Sequence, residues 1–342
     1  MRWKNRPEGS NWGDFGPDDE RGRINLLTPE KVLQGAAEVK AGRSFCLSLP
    51  LDYPGGNDLL PFRFPPRHFV ARRDAGYGFN YPLNRANDAF TDVICDDAVL
   101  LYTQYSTQWD SLAHVGSHFD ADGDGQAEPV YYNGWRAGDD VVGPSGDAAH
   151  DGLVEGSYAH RLGIENMAES GVQGRGVMID LERRFGTERV LVDHAMLMDI
   201  CEEDGVSVEP GDMVCLYTGF ADVVLSMNRQ PDKERLHNAC AVLDGRDPAL
   251  QQWVTDSQLS VLIADNFAVE AYPARKVEGR CAALPLHEHC LFKLGVHLGE
   301  LWYLTELARW LRENHRSRFM LTAPPLRLPG CVGSPATPVA TV

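Results

Sequence analysis

The sequence lacks long apolar runs, paired cysteine motifs and an excess of basic residues. No apolar run approaches the roughly eighteen residues of a membrane-spanning helix, and the N-terminal residues MRWKNRPEGSNWGDFG lack the apolar stretch of a secretory signal. We therefore expect a soluble, cytoplasmic protein. The eight cysteines are scattered without a CxxC pair, which argues against a zinc ribbon or a thioredoxin-type redox site.

The charge balance excludes two classes of partner. Lysine and arginine number 32 against 49 aspartates and glutamates, a formal net charge of −17. Binding to nucleic acid needs cations that neutralise phosphates, and an anionic membrane surface repels an acidic chain. We therefore expect neither as a partner. The acidity itself has two interpretations, ordinary solubility or carboxylates gathered around a cation.

Short apolar segments predict more strands than helices. Helical periodicity is expected over residues 28–40, 193–205 and 299–314, the first opened by Thr28 and Pro29. Because strands and helices do not alternate strictly, we predict a mixed α/β domain with a large mixed sheet. The predicted strands are rich in branched and aromatic residues: FCLSLPL from Phe45, AVLLYTQYS from Ala98, GVMIDL from Gly176, DMVCLYTGF from Asp212, LSVLIAD from Leu259 and RFMLTAPPL from Arg318.

We predict one domain over residues 1–330 and a flexible tail over residues 331–342. A tail that lies on a partner subunit is the alternative interpretation. The segment 54–92 is long, rich in proline, glycine and aromatic residues, and poor in periodicity. Segments of this kind inside a domain are functional lids or irregular surface excursions, and both interpretations stay open.

The segment TQWDSLAHVGSHFDADGDGQAEPVYYNGW concentrates side chains that bind metal ions. His114, His118 and Asp120 offer two imidazoles and a carboxylate, a ligand set suited to Zn, Mn or Fe. In an extended chain these three positions would point to one side, because the side-chain period of a strand is two.

The same segment also contains an acidic loop. Asp120, Asp122 and Asp124 form the DxDxDG pattern that opens an EF-hand, but Tyr131 stands where that loop needs a bidentate glutamate. A full EF-hand is therefore not expected. A structural calcium ion and a solvated acidic turn are the two remaining interpretations.

The chain resembles the putative cyclase family, which includes bacterial kynurenine formamidases, isatin hydrolases and a metal-dependent dienelactone hydrolase. The resemblance implies a swivelling β/β/α fold with a large mixed sheet, and a homodimer or larger homo-oligomer such as a tetramer. It is carried by NWGDFGPDDERGRINLLTPEKV, TQWDSLAHV, GVMIDL, VEPGDMVCLYTG, ADNFAVEAYP and LPLHEHCLFKLGVHLGELWYLTELA.

The family motif, HxGTHxDxPxH, can be aligned in two ways. In the first alignment, which we favour, TQWDSLAHV lies over THxDxPxH. The metal would then be either lost or rebuilt from Asp110, His114, His118 and Asp120 together. In the second, HVGSHFDA lies over HxGTHxD. The first places Gln104 and Gln108 at the two histidines, Asp110 at the aspartate and His114 at the catalytic histidine; the second makes His114, His118 and Asp120 the ligands and puts Asp124 at the final histidine.

In the C-terminal part of the chain, the resemblance assigns the distal metal-binding pair of the family to His287 and Glu300, with Glu300 at the start of a helix. His289 is the alternative residue for the position given to His287. We interpret His297 as a neutral structural histidine. Asp265 and Glu270 either line the site or cap a turn, and we favour capping.

The resemblance implies a hydrolase that acts on an amide, cyclic imide or lactone of a small molecule. The expected cofactor is a divalent metal, zinc or manganese, with no organic cofactor. A metal-free cyclase, dehydratase or isomerase using Asp110 and His114, and an inactive binding or assembly homologue, are the alternatives. The predicted catalytic residues are Asp110, His114, His287 and Glu300; the predicted metal ligands are His114, His118, Asp120, Asp110 and Glu300; the predicted substrate contacts are Gln108, Trp109, Tyr132 and Asn133.

Overall fold

A nine-stranded mixed sheet forms the frame of the protein. The computed structural model describes residues 2–73, 76–145 and 153–342. Numbered in chain order, the strands of this sheet are Ser44–Cys46 (β1), Gln108–Asp110 (β2), Gln173–Asp180 (β3), Met213–Tyr217 (β4), Val261–Ala264 (β5), His297–Glu300 (β6), Arg318–Thr322 (β7), Gly333–Pro335 (β8) and Val339–Thr341 (β9). Their order is β1-β9-β7-β3-β4-β5-β6-β2-β8. The four strands β3 to β6 run parallel to one another, whereas the flanking strands pair antiparallel.

Both faces of the sheet are buried. Val214 and Leu216 of β4 belong to one apolar cluster, whereas Met213 and Cys215 belong to the cluster on the opposite side. This alternation follows from the two-residue period of a strand. Because both faces are buried, the sequences of the parallel strands are continuous apolar runs. Cys215 is a packing residue, as its setting in DMVCLYTG predicts.

Short helices connect and cover these strands. The helices at residues 28–40 and 193–205 are confirmed, since Thr28 accepts a bond from the amide of Lys31 and Asp193 from that of Met196. No helix in the described ranges has the length and apolar character needed to cross a bilayer. The helices are Pro29–Ala37 (α1), Ile164–Glu169 (α2), Glu182–Phe185 (α3), His194–Glu203 (α4), Phe220–Ser226 (α5), Lys233–Asn238 (α6), Pro248–Ser257 (α7), Pro285–His287 (α8) and Thr305–Glu313 (α9), with a π-helix at Glu288–Leu294 and 3₁₀ turns at Gly22–Leu26, Leu83–Arg85 and Tyr132–Gly134.

Among the described residues, six two-stranded sheets lie outside the main sheet. Three of them are built from the 54–92 segment and the residues after it, so the predicted strand from Ala98 pairs there and not in the main sheet. The ladders are Arg67–Val70 with Asp97–Leu100, Arg72–Arg73 with Gly76–Tyr77, Tyr81–Pro82 with Val93–Ile94, Ser117–Phe119 with Glu128–Val130, Val141–Val142 with Tyr158–Ala159, and the parallel pair Leu191–Val192 with Val242–Leu243.

The helix predicted over residues 299–314 begins later than expected. Gly299 and Glu300 are the last residues of β6, and the chain then turns at Leu301, which has a φ of 55°. Leu301 packs in a different apolar cluster from Leu304 and Leu307. The leucine spacing therefore spans a strand, a turn and a helix, and the placement of Glu300 at a helix start is wrong.

The prediction of a flexible tail over residues 331–342 is also wrong. Strand β8 pairs with β2, and β9 lies between β1 and β7. Ala340 and Val342 are fully buried. Backbone pairing orders this segment, on both sides of β9 and on one side of β8. Pairing with distant strands leaves no signal in a short segment that contains two prolines and a glycine.

Candidate active site

Two neighbouring strands bring the first polar side chains together. Strand β2 runs antiparallel to β6, and Gln108 lies directly opposite Glu300 in the register. Gln108 and Asp110 are two residues apart, so they point to the same face of the sheet, while Trp109 points to the other. The sheet thus places an amide and two carboxylates side by side.

His287 completes this group from the end of α8. Its Nε2 lies 3.2 Å from Oε1 of Glu300, and its Nδ1 lies 2.8 Å from Oε1 of Glu270. The Glu270 carboxylate also accepts bonds from the backbone amides of Leu286 and His287, at 3.0 and 2.9 Å. Glu270 therefore fixes both the helix end and the orientation of the imidazole.

The donor atoms of Asp110, His287 and Glu300 converge. One ligand atom from each lies within 4.8 Å of the others, and the three residues are only 0%, 3% and 5% exposed. Nε2 of Gln108 donates to Oδ1 of Asp110 at 3.3 Å and to Oε2 of Glu300 at 3.2 Å. Among the described residues, Asp110 Oδ2 and Gln108 Oε1 are buried without a hydrogen-bond partner. Unpaired acceptors beside an imidazole and two carboxylates fit a divalent cation such as zinc or manganese.

The cluster formed by Asp110, His287 and Glu300 brings several ionisable side chains together in a buried environment. Burial and the neighbouring Glu300 raise the pKa of Asp110 to about 8. Burial opposes a charge on His287, but its hydrogen bonds with Glu270 and Glu300 outweigh this effect and raise its pKa to about 10. Burial likewise acts to raise the pKa of Glu300, yet the contact with His287 prevails and lowers it. The carboxylates thus favour a positive charge between them.

His114 lies at the open side of this cluster. Its side chain is 21% exposed, and its Nε2 lies 3.8 Å from Oδ1 of Asp110. Nε2 of Gln104 lies 3.5 Å from Nδ1 of His114, while Oε1 of Gln104 accepts a bond from the Thr103 hydroxyl at 2.7 Å. Burial, followed by the nearby charge of His287, lowers the pKa of His114 to about 4. His114 is therefore neutral near pH 7 and accessible for proton transfer.

These positions follow the first alignment of the family motif and not the second. Gln104, Gln108, Asp110 and His114 gather at one site. His118 is exposed on the Ser117–Phe119 ladder, where it pairs with Pro129. The Asp120 carboxylate accepts bonds from the amides of Gly123, Asp124 and Gly125. The structure therefore does not bring His118 and Asp120 to the cluster, and their prediction as ligands beside Asp110 and Glu300 is wrong.

The acidic loop forms a separate group. Ligand atoms of Asp120, Asp122, Asp124 and Glu128 lie within 4.8 Å of one another. Arg136 already pairs with Asp122 at 3.2 Å and with Glu128 at 3.3 Å. A strand ladder flanks the loop where an EF-hand has helices, which agrees with the expectation that it is not an EF-hand. A structural calcium ion at this loop stays a prediction.

Three predicted substrate contacts are structural residues instead. Trp109 is fully buried, stacks edge-on against Trp302 and donates its indole N–H to the carbonyl of Ala323. The buried Tyr132 hydroxyl donates to Asp19 at 3.3 Å. The Asn133 amide donates to the carbonyls of Gly16, Pro17 and Asp19. Their prediction as substrate contacts is therefore wrong, whereas Gln108 does lie in the cluster.

The remaining polar residues divide between capping and site support. Asp265 accepts from the amide and hydroxyl of Thr218, which confirms it as a cap. His289 contacts Thr255 and not the cluster. His297 is buried, and burial lowers its pKa to about 3, so it is neutral as predicted. Glu270 both caps α8 and holds His287, so it fills both of the roles considered for it. Its contact with His287, 17 residues away, has no signal in the sequence.

The chain is similar to one protein family by sequence and to several solved structures by fold. The family described as Putative cyclase matches residues 47–271. A crystal structure described as a novel cyclase is 30% identical, covers 97% of each chain and superposes with a TM-score of 0.73. Isatin hydrolase A from Ralstonia solanacearum is 14% identical, with 87% of this chain and 91% of that chain covered and a TM-score of 0.55. Isatin hydrolase A from Labrenzia aggregata is 12% identical, with coverage of 87% and 93% and a TM-score of 0.55.

The two isatin hydrolases share the fold with this chain, and the predicted mixed α/β class with a large mixed sheet is confirmed. No curated protein matches the chain by sequence. The family match ends at residue 271, before His287 and Glu300. Their place in the site is therefore supported by the structure and not by that match.

Proposed function

The chain belongs to the putative cyclase family, and on that premise we propose that it is a metal-dependent hydrolase of an amide, cyclic imide or lactone bond in a small molecule. The observation that carries this proposal is the buried convergence of Asp110, His287 and Glu300 beside two unpaired acceptor atoms. A buried acceptor without a partner costs free energy, and a cation would remove that cost.

Asp110, His287 and Glu300 would hold the ion, with the carbonyl oxygen of Gln108 as a further oxygen donor. Zinc or manganese suits such a mixed set of oxygen and nitrogen ligands. When bound, the ion would polarise a substrate carbonyl and make a water molecule more acidic. The bond from Nδ1 of His287 to Glu270 leaves Nε2 as the atom that faces the ion.

His114 is the residue proposed to move the proton. It is the exposed member of the site, it is neutral near pH 7, and it faces the Asp110 carboxylate. Gln104 orients the imidazole ring through Nδ1. Gln108 holds the two carboxylates at a fixed separation, because its one amide nitrogen donates to both.

A metal-free cyclase, dehydratase or isomerase is the second candidate. It is favoured by the two glutamines, Gln104 and Gln108, that stand where the family motif has histidines, because a neutral amide is a weaker ligand than an imidazole. In that case Asp110, whose pKa burial raises to about 8, would act as the acid and His114 as the base.

Metal analysis of the purified protein, followed by turnover of amide, cyclic imide and lactone substrates before and after chelation, tests the proposal. We expect about one zinc or manganese ion per chain, loss of turnover on chelation and recovery with zinc or manganese. The Glu300→Gln variant should lose the ion, whereas the exposed control Glu306→Gln should keep it. Full activity in a metal-free preparation would establish the second candidate instead. An absence of turnover with every substrate would indicate a binding or assembly protein.

We further propose a homo-oligomer, either a dimer or a tetramer. It is supported by the exposed aromatic side chains of the 54–92 segment, among them Phe62, Tyr77 and Phe90, because exposed apolar surface of this kind favours association. Light scattering would measure the mass directly, and a monomer mass at micromolar concentration would remove this proposal.

A further inference from the structure

Arg63 brings a positive charge to the open side of the candidate site. Its Nη1 donates to the backbone carbonyl of Gln104 at 2.7 Å, and the side chain of the same Gln104 contacts His114. The next residue, Tyr105, donates its hydroxyl to the carbonyl of Gly56 at 2.9 Å. These two bonds attach the start of the 54–92 segment to the turn that leads into β2.

The guanidinium of Arg63 has more donors than its contacts use. An arginine carries five N–H groups, and the bond to Gln104 occupies one of them. Arg175, which is buried, and Arg312, which is partly buried, each pair with two carboxylates. In the parts of the chain that the structure describes, Arg63 forms no ion pair, although it is itself partly buried.

Arg63 and His114 lie on the same side of the cluster. Gln104 contacts both of them, Arg63 through its backbone carbonyl and His114 through its side-chain amide nitrogen. The site therefore has an acidic, buried floor and a cationic, partly exposed opening. A ligand with a carbonyl at one end and an anionic group at the other would complement both.

We propose that Arg63 binds a carboxylate group of the substrate at the open side of the site, while the bond to be cleaved faces Asp110, His287 and Glu300. The orientation of the substrate, with its cleaved bond toward the cluster, rests on the proposed function. The contact between Arg63 and a carboxylate does not depend on it. It assigns to the 54–92 segment a role in substrate specificity. A guanidinium suits this role because two of its N–H groups can bind the two oxygens of a carboxylate in parallel.

The overall acidity of the chain does not oppose this assignment. A net charge of −17 repels an anion at long range, but at physiological ionic strength charges separated by more than about 8 Å are largely screened. Within hydrogen-bond distance the guanidinium dominates. The acidic surface would slow the approach of an anionic substrate, and Arg63 would stabilise it once bound.

Binding of benzoate and of benzamide, measured by calorimetry on the metal-loaded protein, tests the proposal without any need for turnover. The two probes have nearly the same shape and differ in charge. The variants are Arg63→Gln, Arg63→Lys and the control Arg72→Gln, an exposed arginine of the same segment.

We expect the wild type to bind benzoate more tightly than benzamide. Arg63→Gln should lower the affinity for benzoate about tenfold or more and leave the affinity for benzamide almost unchanged. Arg63→Lys should retain part of the affinity, and Arg72→Gln all of it. A wild type that does not prefer benzoate overturns the proposal, as does equal weakening of both probes in Arg63→Gln. If the protein proves not to be a hydrolase, the benzoate preference and its loss in Arg63→Gln are still expected.

Discussion

Nδ1 of His287 lies 2.8 Å from Oε1 of Glu270, and the same carboxylate accepts the backbone amides of Leu286 and His287. One buried side chain thus secures a helix end and selects the nitrogen that His287 presents to Glu300. This relationship leads to the first two predictions.

Glu270→Gln should lower both stability and metal affinity. The amide can no longer serve all three donors, and a buried N–H left unpaired costs about 1–3 kcal/mol. Loss of the carboxylate behind a ligating histidine should weaken zinc binding about 10- to 100-fold. Denaturant unfolding and zinc titration measure the two effects. The exposed Glu278→Gln serves as the control, and unchanged zinc affinity in Glu270→Gln would show that His287 does not depend on this contact.

Gly245→Ala should disturb the same contact from the other side. A Cβ at Gly245 would lie 2.0 Å from Oε2 of Glu270 and 3.0 Å from Cβ of Leu286. The carboxylate cannot move away without breaking its bonds, so we expect a loss of about 1–3 kcal/mol in the free energy of unfolding and weaker zinc binding. Gly143→Ala is the matched control, since a Cβ there meets nothing within 4 Å. Equal melting curves for the two variants would contradict the prediction.

Stability should fall in acid partly because of His297. Burial lowers its pKa in the folded state to about 3, below the value of about 6.5 expected in the unfolded chain. The unfolded state therefore binds the extra proton between these values. The contribution of His297 is complete above about pH 6.5 and is lost as the pH falls toward 3, by up to about 1.4 kcal/mol per pH unit.

The free energy of unfolding measured between pH 7 and pH 4 checks this sign. His297→Gln should have a shallower slope than the wild type, even if it is less stable at pH 7. His160→Gln, at an exposed histidine, should keep the wild-type slope. A His297→Gln slope equal to that of the wild type would refute the assignment.

Two neighbouring residues of β9, one buried and one exposed, allow the burial of this strand to be tested. Ala340 of β9 is fully buried, whereas its neighbour Val339 is 38% exposed. Ala340→Asp would place an unpaired charge in the apolar core and should cost about 3 kcal/mol or more. Val339→Asp, on the same strand, should cost about 1 kcal/mol or less. Thermal unfolding separates the two variants, and similar melting temperatures would show that β9 is not a core strand.

Local chemistry made part of this fold predictable from sequence. Thr28 with Pro29, and Asp193, mark helix starts through bonds formed within three residues. The central parallel strands are apolar on both faces, so their sequences are recognisable without knowledge of their partners. In the site, the family motif located Asp110 and His114, and the resemblance located His287 and Glu300.

The missed features depend on distant partners. Strand β2 has only three residues and exists because it pairs with β6 and β8. Glu300 was placed on a helix because the leucine spacing continues through the turn at Leu301. Arg63 and Glu270 have no motif of their own, and only the bonds to Gln104 and His287 connect them with the site. The contacts of Trp109 were missed for the same reason, since an aromatic residue beside a polar motif suits either role.

The position of β2 between β6 and β8 has a consequence for how the protein is made. Gln108 and Glu300 are 192 residues apart in sequence, so on a translating ribosome the first half of the site emerges long before its partners exist. Pairing over such separations is slow. The segment from Thr107 to Asp110 therefore has neither of its neighbouring strands until β6 and β8 have been synthesised.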